Sequence, residues 1–144
     1  MSSRSFSGGE VARLIGVNYG HVDRWTRLGL VEPSIAPGTG FGCTRGYSFA
    51  DLVACGVMRE LRIGLGIEPH NCREALEFLR GVNLSRLARD QRLLIRADGC
   101  SLSKASDDAT GLSGIVIDLP GLVEELERAT APSGEQEQEL PLAV

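Results

Sequence analysis

Residues Phe6 to Ser34 read FSGGEVARLIGVNYGHVDRWTRLGLVEPS, and this stretch decides the fold. Ser7 and Glu10 have the spacing of a capping box, in which the hydroxyl accepts from the amide three residues on and the carboxylate reaches back. Phe6 and Val11 stand at the staple positions around it. Val11, Leu14 and Ile15 then form an inward stripe, and Gly16 supplies a left-handed stop. Asn18 is the expected cap of the next helix, with Val17 and Val22 as its staple. That second helix carries Val22 and Trp25 inward and stops at Gly29. Two short helices joined by Ile15-Gly16-Val17 have the shape of a helix-turn-helix, whose second helix enters a DNA major groove. A plain helical hairpin would share the pattern.

Working outward, a Gly- and Pro-rich run, SIAPGTGFGCTRGYSF, follows Pro33. It is long enough for two short strands and a tip, a wing that would project Arg45 toward a neighbouring phosphate. Gly38-Thr-Gly40-Phe-Gly42 lacks both GxGxxG spacing and a following Lys-Ser/Thr, so no nucleotide cradle is expected. Ser48-Phe-Ala-Asp51 repeats the capping box, flanked by Tyr47 and Leu52. It opens a helix expected over residues 49–63, with Val53, Val57 and Leu61 recurring every four residues. A fourth helix starts near Pro69, shows Cys72, Ala75, Leu76 and Leu79 on one face, and ends at Gly81.

Beyond residue 90 the period changes. Residues 92–97 and 100–104 flank Asp98-Gly99, a hairpin signal, and residues 113–118 read as a third strand. Asp118 can cap a last helix with Leu119, Leu122, Val123 and Leu126 on one face. The stretch PSGEQEQELPLAV is polar and acidic, and disorder is expected there.

The order and spacing of these features resemble the MerR family of bacterial transcription regulators over about residues 5–80. The matching residues are Phe6, Gly9 to Ala12, Gly16-Val17, Trp25, Gly29-Leu30, Pro33, Arg45 with Tyr47, and Asp51-Leu52. The resemblance implies a winged helix-turn-helix that binds a palindromic operator in double-stranded DNA as a homodimer. This chain departs from the family in its recognition helix, His21-Val-Asp-Arg-Trp-Thr26, where Asp23 stands at a common Arg position. It also has no heptad run after Gly81. The expected fold is therefore mainly α with small β: a winged helix-turn-helix domain at residues 5–80, a βββα unit at 81–130, and a disordered acidic tail at 131–144.

Candidate DNA contacts are Arg13, Tyr19, Gly20, His21, Arg24, Arg27, Arg45 and Tyr47. Gly20 permits close backbone approach; Tyr19 and His21 can donate to bases or phosphates, though a packed aromatic and a helix-start residue are their ordinary alternatives. Arg24 and Arg27 lie one turn apart on an outward face, and Asp23 can pair with Arg27 at i, i+4. Arg45 and Tyr47 fit phosphate contacts from the wing, and Arg13 a further one. Trp25 reads as core, and His70 as structural or exposed.

Net charge is −4, with +2 on residues 1–90 and −6 on residues 91–144. The acidic total does not exclude DNA, because binding needs only a local positive face. The acidic end is expected to stand off DNA; its βββα unit or the fourth helix is expected to make the dimer contact, and residues 91–144 to meet RNA polymerase or a regulatory partner. Cys43, Cys55, Cys72 and Cys100 show no metal or redox spacing, so neither metal nor cofactor is expected, and the thiols read as reduced and buried. No nucleophile–base or paired-carboxylate motif suggests an enzyme. No apolar run suits a membrane span and no secretory leader is visible, so the expected location is cytoplasmic, at the nucleoid. Two alternatives share some of these features: an excisionase-like architectural protein of a mobile element, and an antitoxin-like protein-interaction module. Excisionase-like proteins are often basic and lack a folded C-terminal unit, which counts against the first.

Overall fold

The structure is a computed structural model that describes residues 4–36, 38, 45–96, 99–104 and 114–131. Helix α1 (Gly8–Ile15) begins with the capping box: Ser7 Oγ accepts from the Glu10 amide at 3.1 Å, and Glu10 Oε1 accepts from the Ser7 amide at 2.8 Å. Gly16, at φ +77°, ends it. The Val17 amide reaches back to the Ala12 carbonyl at 2.9 Å, closing a Schellman motif. Helix α2 (Tyr19–Arg27) starts three residues after the glycine. Gly29 repeats the left-handed stop, with the Leu30 amide on the Trp25 carbonyl at 2.9 Å. Arg73, from α4 (Arg73–Arg80), donates to the Leu28 carbonyl at 2.9 Å and so caps the negative end of α2.

Helix α3 (Phe49–Met58) carries the second capping box, and Asp51 Oδ2 also accepts from the Ser34 amide and hydroxyl at 2.8 and 2.6 Å. One carboxylate thus starts a helix and anchors the segment leaving α2. The expected α-helix to residue 63 does not hold throughout: Arg59–Gly64 forms a π turn. The apolar spacing is consistent with this. Steps of four over-rotate by about 40° each on a 3.6-residue helix, and a wider turn takes up the drift. Leu61 stays buried, in line with Val53 and Val57. A 3-10 turn (Pro69–Cys72) leads into α4.

Strands β1 (Gln91–Arg96), β2 (Gly99–Lys104) and β3 (Ile115–Ile117) form an antiparallel sheet in the order β2-β1-β3. Leu93 opposes Leu102 on one side and Ile117 on the other. Asp118 Oδ1 accepts from the Gly121 amide at 3.1 Å and starts α5 (Leu119–Ala129). Leu122 lies on Gly56 of α3, where an added Cβ would stand 3.0 Å from its methyl, so α3 and α5 approach closely.

All the buried hydrophobic side chains but Leu94 form one cluster among the described residues. Val11, Trp25, Leu52 and Val57 share it with Leu93, Ile117, Leu119 and Leu126, so the core runs across residue 81. Arg59 adds a polar tie, donating to the Ile15 carbonyl at 3.1 Å and to Glu125 at 3.3 Å. Cys55 and Cys72 are buried and Cys100 half-buried, all as free thiols; Cys43 lies outside the described residues, as do Asp98 and residues 132–144. Among the described residues no helix is long and apolar enough to cross a membrane, and no group of side chains could hold a metal.

Candidate nucleic-acid interface

The candidate interface is built on α2. Val22 and Trp25 are buried and pin one face of this two-and-a-half-turn helix, as its 3.6-residue period requires. The opposite face then carries Gly20, Arg24 and Arg27, all exposed, with His21 half-buried beside it. The His21 ring lies 5.8 Å from Trp25 at a 30° tilt, so packing against the core restricts its orientation. Tyr19 is 49% exposed at the head of the helix. Its ring rests on Gly8 of α1, where an added Cβ would come within 2.6 Å of it. The missing side chain of Gly8 is therefore what lets Tyr19 lie across the two helices.

The amino terminus of α2 differs from expectation. Asn18 occupies the cap position with extended backbone, but its side chain accepts no hydrogen bond from the helix, and no acidic residue lies in the first turn. First-turn amides without a side-chain acceptor, at the positive end of a helix dipole, suit an incoming anion. A Cβ added at Gly20 would meet nothing within 4 Å among the described residues, none of which requires a glycine there.

Arg24 has no side-chain partner among the described residues. Arg27, 72% exposed, donates Nε to Asp23 Oδ2 at 2.8 Å, the expected i, i+4 pair. Arg13 is exposed near the end of α1. Asp23 does more than the sequence indicated: its Oδ1 accepts from Arg45 Nη1, also at 2.8 Å. The neighbouring Arg27 and Arg45 guanidiniums hold its carboxyl below the usual range, Arg27 contributing most. Nothing local in the sequence signals a pair 22 residues apart.

Two expectations are corrected here. Arg45 does not project from a tip. Its side chain is only 20% exposed and lies against Asp23, because Gly46 pairs with Ala36 through two backbone hydrogen bonds (2.8 and 3.1 Å) and draws this segment onto α2. Tyr47 is not available to a phosphate. It is fully buried, with its hydroxyl 2.7 Å from Thr26 Oγ1, and burial raises its phenol pKa. Its backbone pairs with Phe6, at 2.8 Å in both directions, which turns the ring inward beneath α2. Tyr47 supports α2 from below. Residues 37 and 39–44, within the expected wing, lie outside the described residues.

Against known proteins, residues 6–79 match the family described as MerR HTH family regulatory protein, just over half the chain. An HTH-type transcriptional regulator of Mycobacterium tuberculosis strain H37Rv is 27% identical over 144 aligned residues, covering 90% of this chain and 62% of the relative. An HTH-type transcriptional regulator of Mycobacterium bovis aligns with the same identity and coverage. The chain thus spans less than two thirds of the length of these relatives. The matched residues coincide with the two Gly-ended helices, both capping boxes and the arginine-bearing face of α2. The chain belongs to the MerR HTH family of regulatory proteins.

Proposed function

We propose that this protein is a sequence-specific DNA-binding transcriptional regulator that acts as a homodimer on a palindromic operator. The observation that carries the reading is the face of α2: Gly20, Arg24 and Arg27 stand exposed beside Tyr19 and the half-buried His21 on a helix anchored by Val22 and Trp25, and its cap residue Asn18 makes no side-chain hydrogen bond to it. The first turn reads base edges in the major groove, while Arg13, Arg24 and Arg27 take phosphates. Arg45, tied to Asp23, stands beside this face. A two-fold operator follows from a dimer that offers one such helix per half-site. The acidic sheet-and-helix part supplies the dimer contact or meets RNA polymerase or another regulator, and the protein works in the cytoplasm, at the nucleoid.

The test is fluorescence anisotropy with duplex DNA from upstream of the protein's own gene and with a random duplex, each at two salt concentrations. The regulator reading expects a clear preference for the upstream duplex that persists at the higher salt. Equal affinity for both duplexes would sink it. Sedimentation of the full chain, alone and on DNA, tests the dimer; one chain per palindrome would remove that part.

A further inference from the structure

Resting on the DNA-binding reading, we propose that Asp23 is a positioning and specificity-determining residue: it ties the Arg45 segment to α2 and holds down affinity for non-cognate DNA. The carboxylate uses both oxygens, Oδ2 on Arg27 Nε and Oδ1 on Arg45 Nη1, each at 2.8 Å. Arg45 is also confined from its other side. Gly38, at φ +68°, passes so close that a Cβ there would lie 2.5 Å from Arg45 Cγ and 2.8 Å from its backbone nitrogen. The Arg45 guanidinium is thus set in one place relative to the recognition helix.

The same arrangement shapes the field that a phosphate meets. Two guanidiniums and one carboxylate leave one net positive charge where two arginines alone would offer two. Binding to random DNA is driven by counterion release and scales with the number of phosphates neutralised. A carboxylate on this face therefore lowers affinity for any duplex. An operator that fits the preset Arg27 and Arg45 positions offsets that loss, because the ordering of two long side chains is already done in the free protein. Asp23 thereby widens the gap between operator and random DNA.

The experiment compares wild type, Asp23→Asn and Asp23→Glu in the full chain. Anisotropy on a random duplex between 50 and 200 mM salt should show Asp23→Asn binding about eightfold tighter near 0.1 M per bound chain, with a salt slope steeper by about one per bound chain, as one more neutralised phosphate requires. Asp23→Glu keeps the charge and should return the slope to the wild-type value. A merely structural role would leave the slope unmoved. On the upstream duplex, the preference over random DNA should shrink in Asp23→Asn. A readout independent of DNA is trypsin cleavage after Arg45, which should be faster in Asp23→Asn once the guanidinium is released. Unchanged random-duplex affinity and slope in Asp23→Asn overturns the charge role, and unchanged cleavage overturns the tether. If wild type shows no preference for the upstream duplex, the regulator reading fails, while slope and cleavage still decide for or against Asp23.

Discussion

Replacing Gly20 with alanine should move stability and DNA binding in opposite directions. Gly20 is the second residue of α2, with helical backbone and open space where a Cβ would stand. Glycine within a helix is destabilising by about 0.5–1 kcal/mol relative to alanine, chiefly through backbone entropy. So near the helix start, the gain from Gly20→Ala should fall at the lower end, about 0.5 kcal/mol, raising Tm by about 1–2 °C in a chain of this size. No contact among the described residues opposes it. On DNA the added methyl occupies the space through which a phosphate or base edge would approach the first-turn amides. Displacing that approach should cost at least about tenfold in affinity, or about 1.4 kcal/mol. Thermal unfolding by circular dichroism and anisotropy on the upstream duplex measure the two effects in one preparation. Higher Tm with unchanged affinity would refute the reasoning, since DNA would then not come within a methyl group of Gly20.

Arg24→Ala should leave Tm unchanged, because the side chain is exposed and has no partner among the described residues; it should weaken all duplexes alike and flatten the salt slope by about one if it contacts a phosphate. Tyr47→Phe removes the 2.7 Å hydrogen bond to Thr26 and should lower unfolding stability in urea by about 1–2 kcal/mol, with affinity per folded molecule unchanged. A large loss of binding at full stability would return Tyr47 to the DNA-contacting set. The Asp23 carboxyl is depressed below its ordinary 3.8 by Arg27 and then Arg45, so its contribution to stability is present above that value and is lost as pH falls through the lower folded-state value. The Tm difference between wild type and Asp23→Asn should therefore close below about pH 3.8, and an Asp23 carbon titration by NMR should shift upward in Arg45→Ala.

Some of this protein is written locally in the chain. Both capping boxes, the left-handed stops at Gly16 and Gly29, and the Asp118 cap formed where their spacings indicated. Each depends on residues three to five apart, whose geometry the backbone dictates without help from the rest of the fold. The exposed face of α2 was legible for the same reason, since burial of Val22 and Trp25 determines where Arg24 and Arg27 point. The Asp23–Arg27 pair, four residues apart, was visible too.

Tertiary structure alone decided the remainder. Tyr47 lies in an apparent wing motif, yet pairing of its backbone with Phe6 turns it into the core beneath Thr26. Arg45 reads as a tip residue until the Ala36–Gly46 bridge brings it to Asp23. Asn18 has the composition of a cap but its side chain does not serve as one. The sequence by itself determined where α1, α3 and α5 begin and which face of α2 is presented. Only the folded chain determined which arginines are held, by what, and how one core joins α1 to α5. The division follows from range: periodicity and capping act within a turn or two, whereas a carboxylate meeting an arginine 22 residues away is set by the packing of everything between them.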